Sequence, residues 1–202
     1  MNPFPSSSTA ARLFTEIHRE VGRPGLVFGG RNLPADSAGR LAAAVDEVRA
    51  LGDEELLGGP AADRGMAIAL RAGLLLLADR MEDSHALSQG LDTPEGSYWH
   101  GILHRREPDY GNARYWFRAL GDHPLFDELG PLPGEVDDRD PRRAGRWDPF
   151  RFIDLCEECT RRRREDLREK LEEVQEREIL LLLAHCWRGA IGSGRQGGGG
   201  NR

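Results

Sequence analysis

Residues 62–81 read ADRGMAIALRAGLLLLADRM, and they decide the fold. Met66, Leu70, Leu74, Leu77 and Met81 recur at helical spacing, with Ala and Leu filling most of the positions between them. A helix apolar around so much of its circumference must be covered on most sides, so it predicts a domain built around a central buried helix. Its longest apolar run, 73–78, is far shorter than the roughly 20 residues a membrane span needs. The run 179–184 is equally short.

The flanking segments supply the cover. Leu13, Ile17 and Val21 put an apolar stripe on 6–21 after a Ser/Thr-rich start, as in a capped amphipathic helix. The Gly/Pro-rich stretch 22–35 reads as a connection that tucks in Leu26, Val27 and Phe28, where a lone strand would lack a partner. Leu41, Val45, Val48 and Leu51 mark a second helix over 36–51, with Asp36 or Ser37 available as its cap.

Residues 94–121 read as two shorter helices, because Pro108 disfavours helical geometry at Glu107, Asp109 can cap the second helix and Gly121 can end it. Asp122, His123 and Pro124 open a further turn of helix reaching Leu129. Residues 130–146 carry too little apolar surface to pack and read as a mobile loop, and 147–188 as one long helix or a bent pair starting at Pro149. The expectation is an all-α, irregular single-domain helical bundle over 1–190, of about seven or eight helices, with a flexible Gly-rich tail over 191–202.

The chain has 202 residues, 39% hydrophobic and 31% charged, which suits one core with a solvated surface. Its net charge of -6 opposes a phosphate backbone, so no nucleic-acid partner is expected. The basic run Arg161 to Arg164 is followed by Glu165, Asp166, Glu169, Glu172 and Glu173, the composition of a self-neutralised helix face. Three cysteines argue for a reducing compartment, and residues 1–11 do not have the pattern of a secretory signal. No membrane partner and a cytoplasmic location are expected.

Reactive and aromatic side chains are densest over 98–117, YWHGILHRREPDYGNARYWF. His100 and His104 are four apart, which on a helix places both imidazoles on one face, about 5–6 Å apart at Cβ. That spacing suits shared metal ligation. Gly101 stands where the zinc-protease helix carries its general base, so hydrolysis on that template is not expected. His85 is the best third ligand, because the short turn 89–94 can fold it back beside His100. Three neutral imidazoles would suit a divalent transition metal, whether zinc, iron, nickel or manganese. Arg105, Glu107, Asp109 and Tyr110 are the candidate ligand-binding residues at the rim. The bland alternative is a set of core histidines bonded to Glu107, Asp109 or carbonyls.

The Cys156-x-x-Cys159 pair could join His185 and Cys186 in a four-ligand set, but along one helix Cys159 and His185 would lie about 40 Å apart. All three cysteines therefore read as small core residues.

One His on one helix and a His-x-x-x-His pair on another resembles the three-histidine helical bundles of the damage-inducible metalloprotein type. Gly101, Tyr110, Ala113 and Phe117, with Pro124 one residue short of the closing proline, are similar in spacing to one tetratricopeptide hairpin. That match covers roughly thirty residues, and a lone unit cannot bury its own face. The run Trp99-His100-x-x-x-His104-Arg105-Arg106-Glu107-Pro108-Asp109-Tyr110 also resembles an uncharacterised bacterial protein family. Two functions stay open. One is a metal or small-molecule binding site, with catalysis as its extension. The other is a noncatalytic helical module that offers a protein partner an exposed apolar strip along Leu167, Leu171 and Val174.

Overall fold

The structure, a computed structural model, describes residues 2–29, 33–132 and 146–192. Most of the expected loop 130–146 and of the expected tail 191–202 lies outside the described residues. Among the described residues there are ten helices and no strand, so the fold is all-α.

The central segment behaves as its composition demands. Helix α4 (Arg64–Leu77) packs against α1 (Thr9–Val21), α2 (Ala35–Ala50), α3 (Asp53–Leu57), α5 (Met81–Gln89), α6 (Pro94–Arg106) and α10 (Glu165–Ile191). Ala67 and every residue from Ala69 to Leu77 are buried, and each fully buried leucine contributes about 1.5–3 kcal/mol. Its one buried charge, Arg71, is held by the Val48 carbonyl and by Asp53. Gly73 lets α6 come close, since a Cβ there would stand 2.4 Å from the Trp99 ring.

One helix end differs from expectation, and the bent pair is chosen over one long helix in 147–188, for the same reason. The helix expected over 62–81 stops at Leu77, and Met81 begins α5 instead. The break is at Asp79, left-handed at φ 57°, while the Arg80 N–H reaches back to the Leu75 carbonyl at 2.9 Å. A Schellman-type cap usually takes Gly, yet Asp tolerates the conformation, and here the Asp79 carboxylate also accepts from Arg106 at 2.5 Å. Similarly, 147–188 is a bent pair, α9 (Pro149–Arg162) and α10, broken at Arg163 with φ 50° and closed by Arg164 N–H on the Cys159 carbonyl at 3.0 Å.

The 94–121 hairpin follows its punctuation. Thr93 caps α6, Asp109 caps α7 (Tyr110–Leu120) by accepting from the Asn112 N–H at 3.1 Å, and Gly121 ends α7 at φ 71°. Helices α6 and α7 pack tightly together, and a Cβ on Gly101 would meet the Phe117 ring at 2.6 Å. The short α8 (Leu125–Leu129) follows as expected, α3 had no sequence expectation, and α2 starts after Pro34 with no side-chain cap rather than at Asp36 or Ser37. Arg161, Arg162 and Arg164 pair with Glu157, Glu158 and Asp166, leaving that basic run locally neutralised. Among the described residues no helix is long and apolar enough to cross a membrane.

Candidate metal centre

The turn at Asp79 sends α5 back along α4 and against α6, which carries His85 to the face of α6 that holds His100 and His104. The His100 and His104 rings are 5.5 Å apart at their centroids, and His85 lies 4.7 Å from His100 and 5.6 Å from His104. One ligand nitrogen from each falls within 4.8 Å of the other two. Tetrahedral bonds of about 2.0–2.1 Å place ligand nitrogens roughly 3.3 Å apart, so side-chain shifts of about an ångström would close the set.

Burial is graded across the cluster. His100 is 1% and His104 7% exposed, while His85 is half-buried and gives the group its route to solvent. The half-buried Trp116 stacks on His100 with centroids 4.0 Å apart. Burial pushes the His100 imidazolium down to about 4, with the neighbouring His85 and His104 adding to it and the Gly96 and Ser88 carbonyls opposing it. A neutral ring keeps a lone pair for a metal. Its buried Nδ1 has no hydrogen-bond partner of ordinary geometry.

Glu107 sits beside His104, with Oε2 2.6 Å from Nδ1, and the Asn112 amide stands 3.1 Å from Nε2. The carboxylate approaches Nδ1 out of line for a hydrogen bond of ordinary geometry, but its charge there, with the Asn112 amide donating to Nε2, favours the ring proton on Nδ1, the nitrogen that faces away from a metal in the usual arrangement. Among the four expected rim residues, Glu107 is thus in contact with the cluster. Asp109 is one turn away as the α7 cap. Tyr110 donates its hydroxyl to Thr160 at 3.0 Å, and Arg105 is fully buried against Glu178 at 2.5 Å and Gln175 at 3.2 Å, with its guanidinium over the Phe152 ring. Contact of these three with a small molecule would require giving up those bonds.

A second convergence has no counterpart in the sequence reading. Glu95 from the first turn of α6, His123 from the connection before α8 and His185 from α10 also bring one ligand atom each within 4.8 Å of one another. Glu95 Oε1 is 3.1 Å from His185 Nε2 and 3.8 Å from His123 Nε2. Burial pushes the Glu95 carboxyl up, but the two imidazoles and its own backbone N–H outweigh that and hold it well below the usual carboxylate range. Pro94 at the helix start and Thr93 as cap were legible, but nothing linked Glu95 to positions 28 and 90 residues away.

The cysteines join neither group. Cys156, Cys159 and Cys186 are buried free thiols, and burial raises Cys156 to about 12, which suits packing rather than metal or redox chemistry. Along α10, Leu171 is buried and Leu167 and Val174 are half-buried against the core, so the strip is part-exposed rather than fully open. Tyr115 is the exposed large hydrophobic residue among those described. Compared with family models, curated proteins and solved structures, the chain matches none, and the resemblances of the 98–124 segment rest on the residues quoted for them.

Proposed function

We propose that His85, His100 and His104 hold one divalent transition-metal ion, which a small molecule reaches from the side of His85. The observation that carries this reading is the convergence of three imidazole nitrogens within 4.8 Å from two separate helices. The His-rich donor set favours zinc, iron, nickel or copper over oxygen-seeking magnesium or calcium. Three protein ligands leave a fourth position for water or substrate, the arrangement of catalytic rather than structural zinc. Glu107 orients His104, and Trp116 walls the buried side of His100.

The test is zinc binding by metal-free protein made without a chelating tag. Zinc at about a hundred times its Kd should add about 2.7 kcal/mol of stability. His104→Ala, at a nearly buried position, should remove most of that gain. Unchanged thermal stability on adding zinc, iron(II), nickel or copper(II) would overturn the proposal.

A further inference from the structure

We infer that Glu95, His123 and His185 form a second divalent-metal site, of the two-histidine, one-carboxylate type, on the opposite side of α6 from the first. Nine residues separate Glu95 from His104, which at 3.6 residues per turn sets them on opposite faces of one helix. The donors come from three elements with no chain proximity, and each is held in place locally. Glu95 is fixed by the Thr93 cap and Pro94 in the first turn of α6. His123 is fixed by its own turn, where Nδ1 accepts from the Leu125 N–H at 3.2 Å. His185 is fixed by the rigid α10.

The inward atom of His123, Nε2, is buried and has no hydrogen-bond partner of ordinary geometry, although that side chain is 1% exposed. Glu95 is 8% exposed at its side chain and His185 24%, so an ion would enter past His185. The carboxylate offsets one positive charge of the ion, which the all-histidine cluster cannot do. Two imidazoles and a carboxylate suit iron(II), zinc, manganese or cobalt.

The two sites differ in what stands behind a histidine. Behind His104 is a carboxylate, which welcomes the ring proton on the nitrogen away from a metal. Behind His123 is a backbone N–H, which needs a lone pair there and so leaves the proton of the neutral ring on Nε2. Metal binding through Nε2 moves that proton to Nδ1 and gives up the Leu125 hydrogen bond. The first site likewise gives up the Asn112 bond to His104 Nε2, but that half-buried amide can turn to water, whereas the buried Leu125 N–H is left unpaired, a difference of roughly tenfold in affinity. The second site is therefore the weaker one.

Equilibrium dialysis of chelator-stripped full-length protein against zinc, and separately cobalt(II), tests this. Wild type should bind two equivalents, the second about tenfold more weakly. His104→Ala should retain only the weak equivalent, and His185→Ala only the tight one. Glu95→Gln, which preserves shape, should behave as His185→Ala and serves if that variant unfolds. A weak step unaltered by both His185→Ala and Glu95→Gln would overturn the second site. A single equivalent in wild type that His104→Ala abolishes would also overturn it, while leaving the first site standing. A single equivalent abolished by His185→Ala and kept by His104→Ala would do the reverse.

Discussion

The two faces of α6 hold the same kinds of residue in opposite settings. On one face the buried His100 and His104 meet the half-buried His85, with no acid among the three converging groups and Glu107 behind. On the other face Glu95 lies among His123, His185 and the Tyr98 ring, and Arg105 is locked to Glu178 among aromatic side chains. The first face keeps the His100 imidazole neutral by burial, and the second keeps the Glu95 acid ionised by surrounding it with imidazoles. The acid stands at the N-terminal end of the helix and His104 in its last turn, where the helix dipole favours each. One helix thus separates a site that attracts a metal through lone pairs from one that already contains its compensating charge.

The sharpest way to break the comparison is to remove Arg105. Both members of its pair with Glu178 are fully buried, so Arg105→Ala leaves a carboxylate without its partner and should cost about 3–5 kcal/mol in urea unfolding. Zinc affinity at the His85, His100 and His104 cluster should stay unchanged, since the guanidinium points away from it. A folded Arg105→Ala protein with wild-type stability, or with zinc binding weakened tenfold, would return Arg105 to the site.

Acid titration of the metal-free protein should separate the faces next. An unfolded histidine takes a proton near 6.5, whereas folded His100 resists until about 4, so the unfolded state binds more protons between those values. Stability present above about 6.5 is therefore lost as pH falls toward 4. The interval from about 6.5 to about 4 corresponds to about 3 kcal/mol, and His100→Gln should flatten that window. Glu95 works in the other window. Its folded value lies below the ordinary 4.5, so its contribution is intact above that value and is lost as pH falls further. Stability measured at pH 8, 6, 5, 4 and 3 in wild type and His100→Gln checks the order. Loss confined to below pH 4.5 in both proteins would show that His100 is not kept neutral by its surroundings.

How much of this could be read in the chain follows from distance along it. Residues 62–81 announced the buried centre because burial on all sides requires apolar side chains on all sides. His100 and His104 were legible because four residues make one helical turn, and His85 because a short connection precedes α6. The second cluster was not legible, because no local rule joins residues 95, 123 and 185. The break at Asp79 escaped because the left-handed turn was sought at Gly, whereas a tertiary bond from Arg106 helps hold Asp79 in it; the bent pair over 147–188 was foreseen as an alternative, but its break at Arg163 is closed by local backbone bonds with no Gly or Pro to mark the place. The Arg105 pairing escaped for the same reason as the second cluster. Its partner lies 73 residues away, and an arginine in a last helical turn already has a local explanation.

The smallest expected effect is the most specific to metal binding. Glu107 touches His104 from behind and is itself part-exposed at 27%, so its removal should alter folding stability little. What it controls is the ring: with the carboxylate at Nδ1, the proton sits there and Nε2 is free to bind an ion once Asn112 yields. Glu107→Ala should therefore weaken zinc at the first cluster by about 10–100-fold, and Glu107→Gln, which keeps an acceptor, by less. The weak equivalent at Glu95, His123 and His185 should not move. Equal weakening of both equivalents would mean that Glu107 acts through the fold, and no weakening of either would mean that His104 binds through the nitrogen facing Glu107.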